Sequence, residues 1–187
     1  MLELHVFGPA FGQPDPSPFC MKGIILMEMS GLPYTRVRGN LQKAPKGKFP
    51  VLRDGDKVVP DTSFIRMHLE QAHGIDFDKG LSAEQRGTAW AVEKMLEDHL
   101  YWMVVQERWA NPANFDRGPR RFFDAVPAPF RPLVVAMIKR KVQRNLHGHG
   151  IGRHSDAERL VLARRALDAL AGILGGNPYL TGPDPSG

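Results

Sequence analysis

The hydrophobic pattern of this 187-residue chain changes once along its length, across a polar, glycine-containing segment at 74–80. Before that segment, short apolar runs separated by turn residues predict two helices interspersed among strands, in a β-α-β, β-β-α order. After it, every periodic stretch has helical spacing. The sequence therefore predicts an α+β chain with a mixed half at 1–73, a linker at 74–81 and an all-helical half at 82–187.

Four strands and two helices are predicted in the first half. The strands are expected at 2–7, 34–38, 51–53 and 57–59, and Asp54-Gly55 is expected to form the tight turn of a hairpin between the last two. Ser17 precedes Pro18, a pattern typical of an N-cap followed by proline at the first helical position. Asp61-Thr62-Ser63 provides a similar capped start for the second helix.

The second half contains two capping boxes, one at each end of the helical region. Ser82 with Gln85 predicts the start of a long helix that runs toward Trp109, and Ser155 with Glu158 predicts the start of another that ends near Leu174. A break is expected at 111–119. A helix with many basic residues is expected to begin near Pro132 and to end near Leu146, before glycines 148, 150 and 152 force irregular backbone.

Composition excludes several classes of protein. Hydrophobic residues make up 42% of the chain and charged residues 24%, which is typical of globular proteins and unlike collagen or disordered chains. The longest apolar stretches are far shorter than the ~20 residues of a membrane span. A single cysteine excludes an intramolecular disulfide and a cysteine-rich zinc site. With no secretory signal pattern at the N-terminus, the sequence predicts a cytoplasmic protein.

Positive charge is concentrated in one segment, 117–153, which is called the basic segment below. It contains nine basic residues and one acidic residue, a net charge of +8, whereas the rest of the chain has 16 basic and 19 acidic residues. Such a segment can meet an anionic membrane surface, an acidic partner or nucleic acid, or it can be a solvated helix face. Nucleic acid is disfavoured, since the segment has no regular alternation of aromatic and basic residues.

Ser17 and Cys20 are the first residues along the chain whose side chains could take part in chemistry. Ser17 is expected at a helix N-terminus, where backbone N–H groups and the helix dipole favour an anion. Its hydroxyl can donate a hydrogen bond to a thiolate and so lower the pKa of a bound thiol; a plain N-cap is the alternative. Cys20, one turn further along, is interpreted as a small buried apolar residue.

Two further motifs can bind a peptide-like molecule. In Lys48-Phe49-Pro50-Val51-Leu52, a cis bond before Pro50 is expected to leave the backbone of Val51 free to pair with an extended ligand. In Asp61-Thr62, the hydroxyl and N–H groups can receive a carboxylate while the acid receives an ammonium group. Helix capping explains Asp61 and Thr62 equally well.

These motifs, in this order and spacing, resemble the thioredoxin-like domain of glutathione transferases, and the helical remainder resembles their C-terminal domain. Ser17-Pro-Phe-Cys-Met-Lys, Gly150-Ile-Gly-Arg-His-Ser and Pro178-Tyr-Leu-Thr-Gly resemble the branch of that family that includes failed-axon-connections proteins and metaxins. Relative to the family, Asp61-Thr62 replaces a more usual Glu or Gln followed by Ser. The family pattern also implies that the C-terminus of this chain is shortened.

The resemblance implies a set of site residues. Ser17 stands at the thiol-activating position; Val51 after cis Pro50 would pair with the cysteinyl backbone of glutathione, and Asp61 with Thr62 would hold the γ-glutamyl end. Lys46 or Lys48 would face the glycyl carboxylate. A second substrate would lie between Ser17 and the long helix, whose pocket-facing candidates are Met95, His99, Trp102, Met103 and Gln106. Core packing is the alternative for most of these helix residues.

The resemblance implies a glutathione S-transferase that activates glutathione, its co-substrate, for conjugation or reduction of a small electrophile, and that forms a homodimer. The alternative is a non-enzymatic, metaxin-like scaffold that uses the basic segment to dock on a membrane surface or a protein. No metal cofactor is expected. His147, His149 and His154 lie in a glycine-rich stretch, but with no cysteine or acid beside them they are a weak metal motif.

Overall fold

The structure is a computed structural model that describes every residue from Met1 to Gly187. The chain divides into two compact units, and the division falls between Gly80 and Leu81. The first unit comprises Met1–Gly80 together with Ser186–Gly187, and the second comprises Leu81–Pro185. The first is the mixed sheet-and-helix unit and the second is entirely helical, so the α+β class predicted from the sequence is confirmed.

The first unit is built on a four-stranded mixed sheet with the strand order β2-β1-β3-β4. The strands are β1 (Leu2–Val6), β2 (Tyr34–Arg38), β3 (Val51–Asp54) and β4 (Lys57–Pro60). β1 pairs in parallel with β2 and antiparallel with β3, while β3 and β4 form an antiparallel hairpin. Asp54 pairs with Lys57, so the turn consists of Gly55 and Asp56 rather than the expected Asp54-Gly55. Only Gly55, at φ 57°, needs left-handed backbone there.

Two helices pack with the sheet, α1 (Pro18–Ser30) and α2 (Thr62–His73). Both begin where the sequence predicted, at caps Ser17 and Asp61, and both end at a left-handed glycine. The core that they share with the sheet is made of buried apolar side chains, and the largest of those that are fully buried are Leu4, Met27, Leu52, Ile65 and Leu69. Alternate residues of β1 point into this core, which is why that strand alternates apolar and polar residues.

The second unit contains five α-helices. These are α3 (Ala83–Lys94), α4 (Tyr101–Trp109), α5 (Pro112–Arg117), α6 (Arg131–His149) and α7 (Asp156–Leu174). Both predicted capping boxes are present, at Ser82 and at Ser155. Met103, Leu146 and Ile151 form the buried centre of the unit's main apolar cluster. None of the helices of this chain is long and apolar enough to cross a membrane.

The second unit departs from the sequence predictions at three places. The long helix predicted from Ser82 to Trp109 is interrupted by a π-helical segment, Met95–Leu100, between α3 and α4. The break expected at 111–119 contains α5, which is capped by Asn111 and has proline in its first turn. Finally, α6 continues to His149, so Gly148 is helical, and the irregular backbone begins only at Gly150 with φ 107°.

Candidate functional site

The N-terminus of α1 presents the Ser17 hydroxyl. Ser17 has extended backbone dihedrals, and its Oγ accepts a hydrogen bond from the backbone N–H of Cys20 at 3.4 Å. Pro18 in the first turn has no N–H, so it removes one of the donors that a helix N-terminus would otherwise leave unpaired. The side chain of Ser17 is half-buried. The Ser17 hydroxyl also interacts with the neighbouring Cys20 thiol, so a ligand sulfur that takes the hydroxyl proton would replace this contact.

A buried carboxylate, which the sequence analysis did not identify, lies beside this hydroxyl. Asp15 is only 2% exposed, and its two oxygens accept hydrogen bonds from the backbone N–H groups of Gly8 and Ser17, each at 2.8 Å. The second of these bonds closes an Asx-turn, which fixes the approach of the chain to α1. An aspartate two residues before a helix cap was the signal available in the sequence.

Cys20 is fully buried in the apolar core of the first unit, as predicted. Burial, reinforced by the negative charge of Asp15, raises the pKa of the Cys20 thiol to about 12, although the hydrogen bond with Ser17 acts in the opposite direction. The side chain is therefore a neutral thiol at physiological pH. It cannot supply a thiolate nucleophile, so any thiol chemistry at this site has to come from a bound molecule.

The Phe49–Pro50 peptide bond is cis, as expected, but the Val51 backbone lies inside the sheet. Val51 is opposite His5 of β1 on one side and Pro60 of β4 on the other. The Asp61 N–H donates to the carbonyl of Pro50 at 3.2 Å, which makes Val51–Pro60 a non-hydrogen-bonded pair. The N–H and C=O of Val51 therefore face β1, and the expectation that they are free for a ligand is corrected.

The residue before the cis bond, Phe49, has backbone polar groups that no turn or loop hydrogen bond uses. It lies outside β3, and none of the backbone hydrogen bonds of the turns and loops involves its N–H or C=O. Its side chain is buried and contacts the ring of Phe7 edge-on, with centroids 5.1 Å apart. A Cβ on Gly39 would lie 2.3 Å from the Phe49 ring, so the absence of a side chain at 39 makes room for that ring.

The start of α2 carries backbone strain at Asp61. This residue has φ 86° and ψ 135°, a conformation that non-glycine residues rarely adopt. Its Oδ1 accepts from the Ser63 N–H at 3.1 Å, and its own N–H is engaged by Pro50. Thr62 is buried, so it offers a ligand less surface than Asp61 does. The structure thus brings Pro50, Asp61 and the α2 N-terminus together.

The two lysines proposed from the resemblance are both exposed. The ammonium group of Lys46 lies 4.5 Å from the centroid of the Phe64 ring on α2, an arrangement with cation–π attraction. Lys46 is therefore held near the start of α2, in the same region as Asp61. Lys48 is adjacent in sequence to Phe49, the residue before the cis bond.

The candidate pocket residues of the second unit differ in their surroundings. Met103 is buried in the apolar cluster, and Trp102 packs against the same cluster with its ring stacked on His149 at 4.7 Å between centroids. Met95 and His99 lie half-buried in the π-helical segment. A π turn inserts an extra residue, so helical spacing counted through it does not keep these side chains on one face. Core packing accounts for Met103 and for much of Trp102.

Comparison with known proteins identifies the family. A family model described as the glutathione S-transferase N-terminal domain matches residues 18–114. The isoprene-epoxide–glutathione S-transferase of Rhodococcus sp. strain AD45 is 28% identical over 189 residues, 97% of this chain and 79% of that protein. Failed axon connections of Drosophila melanogaster is 27% identical over 196 residues, 100% of this chain but 47% of that protein.

Solved structures show the same fold. The beta-etherase LigF from Sphingobium sp. strain SYK-6 has a TM-score of 0.66 and 18% identity, with 99% of this chain and 78% of that chain covered. Human glutathione transferase theta-2 has a TM-score of 0.59 and 20% identity, with 98% and 66% covered. The chain has a thioredoxin-like first unit and a helical second unit, and the family model matches more than half of its residues. This chain therefore belongs to the glutathione S-transferase family.

Proposed function

We propose that this protein binds glutathione and activates its thiol for attack on a small electrophilic molecule. The observation that carries the proposal is the Ser17 hydroxyl, which is half-buried at the N-terminus of α1 and is of the type that can donate a hydrogen bond to a bound thiolate. The similarity to an isoprene-epoxide–glutathione S-transferase supports this reaction class and makes epoxides the first electrophiles to test.

The chemistry requires a thiolate at neutral pH. The thiol proton leaves to solvent, the sulfur attacks an electrophilic carbon, and the pair of electrons from the broken bond goes to the leaving atom, which is the ring oxygen in an epoxide. A hydrogen bond from the Ser17 hydroxyl stabilises the thiolate before attack. The positive end of the α1 dipole acts in the same direction. Both effects lower the pKa of the bound thiol toward neutrality.

The backbone of glutathione is assigned here to Phe49 rather than to Val51. Phe49 has N–H and C=O groups without backbone partners, whereas those of Val51 face β1. The carboxylate of Asp61 is assigned to the ammonium of the γ-glutamyl group, and the N-terminus of α2, with Thr62, to its carboxylate. Lys46 or Lys48 is assigned to the glycyl carboxylate. These assignments give glutathione a cradle made by a single unit of the chain.

The test of thiol activation compares Ser17→Ala with Ser17→Thr. Removal of the hydroxyl should lower the rate of glutathione conjugation to an epoxide by roughly 100- to 1000-fold, a range typical of the loss of one oxyanion-type donor, while threonine should retain most of the rate. The apparent pKa of the rate should rise in Ser17→Ala. Ser155→Ala, which removes a helix-capping serine in the second unit, is the matched control for lost capping. A full rate in Ser17→Ala contradicts the mechanism.

Binding is tested separately by calorimetric titration with glutathione. Wild type should bind saturably. Asp61→Asn should bind glutathione more weakly because the uncharged amide cannot pair with the ammonium group. Asparagine is chosen because it retains the helix cap and tolerates positive φ. Asp56→Asn, in the exposed hairpin turn, is the control. The absence of binding up to ~10 mM, a free energy weaker than about −3 kcal/mol, would contradict the assignment of glutathione as co-substrate.

A specific observation favours the scaffold as a second candidate. Helix α6 carries one exposed face that is apolar in its first half and basic in its second: Phe130, just before the helix, and Leu133 and Met137 are followed at helical spacing by Arg140 and Arg144. These arginines are exposed and the structure gives them no ionic partner. A face of this kind suits the surface of an anionic membrane, with apolar side chains inserted beside the charged headgroups.

A further inference from the structure

A cluster of metal-ligating side chains lies in the first unit, outside the proposed thiol site. Asp54 ends β3, and His68 and His73 belong to α2. The Nε2 atoms of both histidines lie close to the same oxygen, Oδ2 of Asp54, at 2.9 Å for His68 and 2.8 Å for His73. The three ligand atoms lie within 4.8 Å of one another. Three donors of the types that bind zinc thus converge on one point.

The geometry explains why sequence spacing did not indicate this cluster. Histidines that share a helix face are usually three or four residues apart, whereas these are five apart. His73 is the last residue of α2, followed by Gly74 in the left-handed conformation at φ 68°, and its ring reaches back past the helix end. The two imidazole rings are nearly perpendicular, with 85° between their planes and 5.9 Å between centroids. Their two Nε2 atoms can therefore approach one ion from different directions.

Burial and charge at the cluster also suit an ion. His68 is 6% exposed, which fixes one ligand firmly in the unit, whereas the side chains of Asp54 and His73 are each about one quarter exposed. An ion would thus be held by an anchored ligand and reached from solvent. The carboxylate of Asp54 adds a negative charge that favours a cation beside the two imidazoles.

We propose that Asp54, His68 and His73 form a site for a divalent transition-metal ion, with Zn²⁺ as the best-matched species and a fourth position open to water. Two imidazole nitrogens and one carboxylate oxygen are a typical donor set for zinc. In a tetrahedral site with bonds of about 2.0–2.2 Å, donors lie about 3.3 Å apart, so each Nε2 needs to move away from Oδ2 of Asp54 by about 0.5 Å. Copper(II) and nickel(II) accept the same donors.

Metal and proton compete for the same nitrogens. In the hydrogen-bonded arrangement, each Nε2 carries the proton that it donates to Asp54. An ion binds the lone pair of Nε2, so the proton of each neutral imidazole moves to Nδ1, and any second proton of a charged ring leaves to solvent. The hydrogen-bonded cluster is therefore the metal-free form of the site.

The site is separate from the chemistry proposed for glutathione. Asp54 lies opposite Leu2, at the start of β1, whereas the loop that carries Ser17 follows the other end of that strand. At about 3.3 Å per residue, β1 separates the two regions by roughly 15 Å. An ion at this cluster joins the end of β3 to the end of α2. Its role is therefore to stabilise the first unit, by an amount that grows with the free metal concentration.

The test is calorimetric titration of the chelator-stripped, tag-free full chain with Zn²⁺. Wild type should bind one ion, and its thermal midpoint should rise when Zn²⁺ is added. His73→Asn and Asp54→Asn should each lower the affinity at least tenfold and remove that rise. Both replace ligands near the surface, and circular dichroism of each metal-free variant checks that the fold is retained. His147→Asn, at an exposed position of α6, should bind as wild type does.

Cobalt(II) supplies a second readout, since visible absorption distinguishes coordination by imidazole nitrogen from loose binding to surface carboxylates. Intense ligand-field bands in wild type that are lost in His73→Asn support the site. The proposal is overturned if wild type binds no Zn²⁺, or if binding is unchanged in both Asp54→Asn and His73→Asn. Neither result depends on glutathione, so the metal site and the proposed transferase activity can fail independently.

Discussion

At the scale of single residues, Asp15 is a buried anion that holds the β1–α1 loop. Asp15→Asn keeps the size of the side chain but replaces one acceptor oxygen with an NH₂ group, so one of the two N–H donors from Gly8 and Ser17 loses its partner. The free energy of unfolding should fall by about 1–3 kcal/mol, measured by chemical denaturation. Asp56→Asn in the hairpin turn should change it by less than about 0.5 kcal/mol. Equal losses in the two variants would contradict this role.

Cys20 gives a prediction about alkaline pH. Its pKa in the folded chain is about 12, against an ordinary value of 9.0, so the unfolded chain ionises first as pH rises. Stability contributed by the neutral thiol is complete below pH 9 and is lost between pH 9 and 12, at about 1.4 kcal/mol per pH unit. Between pH 8 and pH 10, wild type should therefore lose about 1.4 kcal/mol more unfolding free energy than Cys20→Ala does.

The comparison with Cys20→Ala removes two complications. The cavity left by the smaller side chain is the same at both pH values, and other groups that titrate in this range do so in both proteins. Alkylation provides an independent check: iodoacetamide at pH 8 should label Cys20 only in denaturant, because the native thiol is buried and neutral. Rapid labelling of the native chain would contradict the burial.

At the scale of elements, the π-helical segment depends on a contact from α6. A π turn widens the helix, and one of its carbonyls, that of Asp98, accepts a hydrogen bond from Nε2 of His149 at 3.1 Å. The same imidazole stacks on Trp102. His149→Ala removes both contacts and should destabilise the second unit by about 1 kcal/mol, measured by thermal unfolding. His147→Ala, two residues earlier, is the control and should have a smaller effect.

The helices and strands were largely predictable, because a few residues adjacent in sequence determine where each helix begins and ends. Ser17-Pro18, the two Ser capping boxes and the glycine stops place helix ends from a few adjacent residues. The π-helical segment was not predictable, since it is stabilised by α6 more than forty residues away. Helix α5 was missed because its asparagine and proline were interpreted as a break instead of as a cap and a first turn.

The candidate site was predicted in part for the same reason. Ser17, the cis bond at Pro50 and the capped start of α2 follow from short motifs, and all three lie where the sequence placed them. The choice between Phe49 and Val51 depends on strand register, which a single sequence does not contain. The Asp54–His68–His73 cluster depends on three-dimensional convergence, so its residue types alone gave no signal, whereas Asp15 had a local signal in its position two residues before the Ser17 cap.

At the scale of the whole molecule, charge is distributed unevenly between the two units. The second unit has a net charge of +4 and the first a net charge of +1, because the +8 of the basic segment exceeds the −4 of the rest of the second unit. Some of these cations are engaged: Arg120 pairs with Asp116, and Lys139 lies over the ring of Phe115. Arg140 and Arg144 of α6, in contrast, are exposed and have no ionic partner in the structure.

This distribution gives a prediction that separates the scaffold from the enzyme. Vesicles that contain anionic lipid should bind the full chain at low salt and release it as ionic strength rises, whereas neutral vesicles should not bind it. Arg140→Glu with Arg144→Glu should reduce binding by at least tenfold, since each charge near such a surface is worth about 1 kcal/mol. Arg164→Glu with Arg165→Glu, on α7, is the charge-matched control. Equal losses in the two double variants would contradict a specific α6 face.

Gly39 links two parts of the first unit that are ten residues apart in sequence. Its missing side chain makes room for the ring of Phe49, the residue whose backbone we assign to glutathione. A side chain at position 39 would occupy the space that the Phe49 ring fills. A larger residue at 39 is therefore acceptable only when the side chain at 49 is smaller. In a saturation library of both positions selected for glutathione conjugation, larger residues at 39 should be recovered only together with smaller residues at 49. Gly39 would then be under selection for a ligand it never touches.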